Sequence, residues 1–148
     1  MDCAFCAMLE NTKKREIIFK NDLSFAFLTY KPIVPGHTLI CPIRHVKYFE
    51  DLTKDEVQSI FDLRMNIHEA LIKTFKAEGF NYAWNENEIG GQSVQHFHLH
   101  ILPRVAGDAG TYQYEPRQFL YGSGGSAGRK EEPEEELSRI SKLIRSNL

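Results

Sequence analysis

The chain lacks any uninterrupted apolar stretch approaching the ~20 residues that a membrane-spanning helix needs, which argues against a membrane partner. It also lacks an excess of charge of either sign: 18 Lys and Arg stand against 20 Asp and Glu, a formal charge of −2. Without a basic surplus to neutralise a phosphate backbone, the coating of a nucleic-acid polymer is not expected. Cysteine is scarce, with three in 148 residues, so the thiols cannot all pair internally and a disulfide-stapled mini-protein is excluded. Residues Met1 to Cys6 contain neither a basic n-region nor an apolar h-region, and a reducing cytoplasm is the expected location. No internal repeat is visible. What remains is a composition near the globular average, 42% hydrophobic and 26% charged, at a length that suits one packed domain.

Local patterns then divide the chain. The β-branched run Glu16 to Lys20, closed by Asn21-Asp22 and followed by Ser24 to Leu28, predicts a hairpin. His37 to Cys41 reads as a third strand, stopped by Pro42. Thr53-Lys54-Asp55-Glu56 matches a capping box, and Val57, Ile60, Phe61, Leu63, Ile67, Ala70, Leu71 and Phe75 recur at helical spacing until Gly79, the expected stop. Alternation resumes over Phe80 to Asn85 and over Val94 to Pro103, which predicts two more strands. Pro133, Glu134 to Glu136, and Leu137, Ile140, Leu143 and Ile144 predict a terminal helix whose apolar stripe needs a partner surface. The expectation is an α+β domain over 1–121, with an antiparallel sheet and one long flanking helix. A flexible Gly- and Ser-rich linker follows over 122–131 and a C-terminal helix over 132–148.

The chemistry concentrates in His96, His98 and His100. Strand alternation projects all three from one face, and three imidazoles in strict alternation beside the loop Gly90-Gly91-Gln92-Ser93 point to a functional site. Two chemistries compete for such a row. A catalytic zinc would hold a water at an open position, whereas a nucleophilic histidine would attack phosphorus while loop N–H groups stabilise the phosphoryl oxygens. Glycines that allow close backbone approach, with a serine hydroxyl beside them, favour the second.

Gly91-Gln92-Ser93-Val94-Gln95-His96-Phe97-His98-Leu99-His100-Ile101-Leu102 resembles the signature of the histidine triad superfamily of nucleotide hydrolases and transferases. The resemblance extends upstream through Lys31 to Pro42 and to Cys3-x-x-Cys6, so it covers about residues 1 to 105. It implies an antiparallel sheet with flanking helices in a homodimer whose sheet continues across subunits. The implied activity is cleavage at the α-phosphorus of a nucleotide, an adenine nucleotide by preference, through a nucleotidyl-histidine intermediate and without a catalytic cofactor. By position His98 is the implied nucleophile, and His37 and His100 flank the phosphate. Ser93 and Gly91 contact phosphate and leaving group, with Asn85 near the same phosphate and Gln92 in the same loop. Thr29 stands at the ribose position. Leu28 beside it is a candidate substrate contact with two readings, core packing, which is preferred, and contact with the base. His100 at the third place points to the hydrolase branches, on the dinucleoside-polyphosphate-cleaving, fragile-histidine-triad side. The alternatives are a nucleotide-binding regulator with incidental slow hydrolysis and a zinc-dependent phosphohydrolase.

Cys3-x-x-Cys6 precedes an antiparallel hairpin rather than a β-α-β unit, which ranks zinc above redox chemistry. With His45 and His96 it completes a Cys2His2 set, a closed structural site. Zinc-carrying members of the superfamily use this arrangement. Cys41, alone in an apolar run, is expected to pack as a small hydrophobe.

Overall fold

The computed structural model describes residues 2–10, 16–108 and 130–148. The expected domain boundary at 121 and the expected linker, up to residue 129, lie outside the described residues. Helix α1 (Ala4–Leu9) leads into the hairpin of β1 (Ile17–Lys20) and β2 (Ser24–Leu28). Asn21 makes that turn: its Oδ1 accepts from the Leu23 N–H at 3.1 Å and from the Ser24 N–H at 2.8 Å, a side chain standing in for backbone. After β3 (Thr38–Pro42) come the long helix α2 (Lys54–Phe75), β4 (Gly79–Ala83), β5 (Leu99–Arg104) and a last helix, α3 (Glu134–Ser146). The strands form one antiparallel sheet in the order β1-β2-β3-β5-β4.

The sheet separates two cores because alternate side chains leave it in opposite directions. On one face Ala26, Leu28, Ile40, Leu99 and Ile101 pack under Ile60, Leu63, Ile67, Ala70 and Leu71 of α2 and Leu137, Ile140 and Ile144 of α3. The terminal helix thus finds its partner surface in its own domain. On the other face Phe25, Phe27, Leu39 and Cys41 pack against Cys3, Phe5 and Met8 of the N-terminal segment, and Cys41 is fully buried as a small hydrophobe.

Three expectations are corrected. Helix α2 stops at Lys76, which takes the left-handed conformation (φ 57°, ψ 38°) and donates its N–H to the Ile72 carbonyl, while Gly79 opens β4. A lysine tolerates this position because its Nζ reaches the Lys73 carbonyl at 3.2 Å, near the negative helix end. Phe61 and Leu143 are exposed; Phe61 follows the buried Ile60 by about 100° around the helix, out of the stripe. The strand expected from Val94 begins only at Leu99. Pairing with β3 ends at Ile40↔Leu99, and beyond it the Pro42 carbonyl accepts from His96 and the Phe97 N–H donates to Val46. Leu28 packs in the α2 core, the preferred of its two readings.

The start of α2 is fixed by a reciprocal cap. Thr53 Oγ1 accepts from the Glu56 N–H, and Glu56 accepts from the Thr53 N–H. Arg44 then grips both Glu56 oxygens at 2.8 Å. That guanidinium holds the Glu56 carboxyl below the usual carboxylate range, against the opposing effect of burial. A lowered folded pKa means stability that is present above the unfolded value and lost as pH falls through the folded one. Glu56→Gln is therefore expected to cost about 1–2 kcal/mol in urea unfolding at neutral pH. The gap to the parent should close as the pH drops below about 4.

Candidate functional site

His37 is placed by the turn before it. Gly36 has φ 86°, and a Cβ there would lie 2.7 Å from the Phe75 ring, so only glycine lets β3 begin so close to α2. The Ile33 N–H donates to His37 Nδ1 at 3.1 Å, which makes that nitrogen an acceptor. A neutral His37 therefore carries its proton on Nε2 and donates it to His100 Nδ1, 2.9 Å away. His100 lies opposite Leu39 in the sheet, and its ring centroid is 4.9 Å from that of His98.

His98 is buried, and burial pushes its pKa below the ordinary histidine value. It is neutral at physiological pH, with its single proton assigned by geometry: Nδ1–H donates to the His96 carbonyl at 2.7 Å. The remaining lone pair is on Nε2, and no hydrogen bond among the described residues engages that atom. A backbone carbonyl thus selects the tautomer that carries its proton on Nδ1 and its lone pair on Nε2.

His96 does something different. Its Nε2–H donates to the Pro42 carbonyl at 2.8 Å, leaving Nδ1 aimed at Cys3 Sγ, 3.4 Å away, and Cys6 Sγ, 3.6 Å away. Cys6 Sγ is also 3.4 Å from His45 Nδ1, and ligand atoms of all four residues lie within 4.8 Å of one another. A tetrahedral ion with Zn–S about 2.3 Å and Zn–N about 2.0–2.1 Å separates sulfur from nitrogen by roughly 3.5 Å, so the residues fit. The electrostatics agree. Burial pushes His96 down to about 4, which keeps it a neutral ligand. Burial, with Cys3 beside it, pushes the Cys6 thiol up to about 11, a thiolate-disfavouring site that a dication reverses. The bond from His96 Nε2 to the Pro42 carbonyl is of the kind that would orient this imidazole towards a metal.

The loop between β4 and β5 closes the site. Asn85 is buried and its Nδ2 donates to the Gly91 carbonyl at 3.3 Å; Gly91 has φ 97°. Asn87 also has positive φ (60°), a strained position for a non-glycine residue. It is held there by Tyr48, whose hydroxyl donates to Asn87 Oδ1 at 2.9 Å, and by Gln92, whose Oε1 accepts the Asn87 N–H at 3.0 Å. Gln92 also donates to the Lys47 carbonyl and is 2% exposed, so its side chain shapes the loop from inside the fold. Ser93 lies exposed where the loop turns towards the histidines. Thr29, half-buried after β2, accepts from the Lys31 N–H at 3.4 Å.

Arg44 and Arg104 are committed to structure. The first grips Glu56, and the second forks onto Asp108 at 2.7 and 2.6 Å and reaches Asn81. Trp84 is 40% exposed and stacks on Phe49 at 5.0 Å. The backbone groups of Ile33, Pro42 and His96 that fix the imidazoles had no side-chain signature to betray them. Phe5 had one: it stands between the two cysteines and travels wherever they are bound.

The chain matches the HIT domain model over residues 10–107 and belongs to that family. A bis(5'-adenosyl)-triphosphatase of Dictyostelium discoideum is 38% identical over 92 residues, 62% of each chain. The asymmetrical bis(5'-nucleosyl)-tetraphosphatase of Schizosaccharomyces pombe is 36% identical over 93 residues, 63% of this chain and 51% of that protein. The chain thus spans between half and two thirds of the length of these two relatives. Among solved structures, a Zn-bound histidine triad family protein from Mycobacterium smegmatis superposes with a TM-score of 0.75 at 25% identity, covering 99% of this chain and 94% of that one. Among the described residues no helix is long and apolar enough to cross a membrane.

Proposed function

We propose that this protein hydrolyses dinucleoside polyphosphates or other adenylylated phosphates and amidates at the α-phosphorus, with His98 as nucleophile. The observation that carries the reading is the 2.7 Å bond from His98 Nδ1 to the His96 carbonyl, which leaves the Nε2 lone pair for attack. Nε2 forms a bond to phosphorus as the bridging bond to the leaving group breaks, and the departing oxygen or nitrogen carries away the electron pair. His37 donates into His100, so His100 in turn presents Nε2–H, a donor for a phosphoryl oxygen as charge develops. Gly91, Ser93 and Asn85 supply further polar contacts from the loop, and Thr29 meets the ribose. Water then cleaves the N–P bond and restores the imidazole. The triphosphatase and tetraphosphatase activities named for the two relatives support this substrate class.

Cys3, Cys6, His45 and His96 are the proposed ligands of a zinc ion. Four protein ligands leave no open coordination position, which assigns the ion a structural role and disfavours a zinc-activated water. When bound, the ion contributes to folding stability by tying α1 to the sheet. The homodimer belongs to the same reading: β4 is a sheet edge, with Tyr82 38% and Trp84 40% exposed beside it, so a second copy can extend the ladder.

His98→Ala is expected to abolish both hydrolysis of diadenosine triphosphate and formation of the trapped nucleotidyl adduct, while nucleotide binding by calorimetry is largely kept. Turnover by the variant would remove the mechanism. Metal analysis should find about one zinc per chain, Cys3→Ser should lose it, and chelation should lower the Tm by several degrees. A zinc-free protein of unchanged Tm would reject the site. Sedimentation is expected to give twice the chain's 17.1 kDa mass, and Tyr82→Asp to shift it towards the monomer.

A further inference from the structure

Helix α1 has six residues, too few to hold helical form unaided in water, so its place depends on what it docks against. Phe5 and Met8 are buried, and the two thiols that bracket Phe5 face His45 and His96. The Phe5 ring meets His98 edge-on, with centroids 5.2 Å apart and planes at 81°, and meets His96 at 5.9 Å and 62°. Behind it stands Phe27 at 5.0 Å.

His98 needs such a wall. One hydrogen bond fixes Nδ1, but the terminal torsion of a histidine is broad, so the ring can still pivot about that bond and swing Nε2. Phe5 on one side and His100 at 4.9 Å on another confine the plane. Two of these three restraints, the hydrogen bond and the Phe5 ring, lead back to the same four residues. The carbonyl that holds Nδ1 belongs to His96, and Phe5 is flanked in the chain by Cys3 and Cys6.

We infer that Phe5 is a positioning residue for His98, and that metal capture by Cys3, Cys6, His45 and His96 sets the aim of His98 through the Phe5 ring and the His96 carbonyl. The inference rests on the reading of His98 as the nucleophile. It gives the cluster a part in the chemical step without a place in it, since no cluster atom touches a reacting atom.

The test uses the full-length, zinc-loaded protein with diadenosine triphosphate. Phe5→Leu keeps the apolar character and removes the flat edge; Phe5→Tyr keeps the ring. Phe5→Leu is expected to retain zinc and to hold KM within about twofold, yet to slow single-turnover formation of the His98 adduct by about tenfold or more, the scale set by a misaimed reactant. Phe5→Tyr is expected to recover most of that rate. Without substrate, 15N spectra of the imidazoles should show one sharp His98 environment in the zinc-loaded parent and exchange-broadened or multiple His98 signals in Phe5→Leu and in the zinc-stripped parent. A raised KM with an unchanged adduct rate would make Phe5 a base contact and overturn the inference. Identical His98 spectra with and without zinc would overturn the metal linkage, and this comparison stands even where Phe5→Leu does not fold. An adduct that persists in His98→Ala removes the nucleophile reading instead, and the spectra then decide alone whether Phe5 and the metal hold the ring.

Discussion

Everything at the site depends on how one residue, His96, is pinned. Its ring is stretched between the Pro42 carbonyl and two sulfurs, and its own carbonyl holds His98. Two neighbouring imidazoles with the same covalent structure are thereby given opposite tautomers. His96 is protonated on Nε2 and offers Nδ1, and His98 is protonated on Nδ1 and offers Nε2. The main chain makes the distinction, because a carbonyl can only accept.

The sheet serves this arrangement by dividing labour between its faces. Under α2 and α3 an apolar core of aliphatic residues supplies stability, while the opposite face carries an aromatic cluster with α1 docked on it. Within β5, Leu99 and Ile101 face the first core, and His100 between them faces the second. A rigid backing of this kind is what lets imidazoles be held to within fractions of an ångström.

Much of this was legible in the sequence where the cause was local. Asn21 announced the hairpin, the pair Thr53 and Glu56 announced the start of α2, and Pro133 with three glutamates announced α3. The four cluster residues were legible from ligand type and spacing, and the structure gathers them within 4.8 Å. What escaped was set by distant backbone. The alternation of His96, His98 and His100 suggested one continuous strand, but the Pro42 and Val46 carbonyls draw His96 and Phe97 out of the ladder. Leu28 has a side chain suited to either face, and only the pairing of β2 decides that it enters the aliphatic core. The side-chain amide of Gln92 is bound to Asn87 and to Lys47, the second of these a partner 45 residues away that local pattern does not reveal.

The loop that closes the site has a further property. Asn87 occupies a backbone region natural to glycine, and the Tyr48 hydroxyl and the Gln92 amide keep it there. A side chain at that position narrows the range of shapes the unfolded chain can sample, and the local strain is borne when the protein folds. The entropy of ordering this segment is thus spent when the protein folds, so the loop would meet the proposed phosphate in a shape already set.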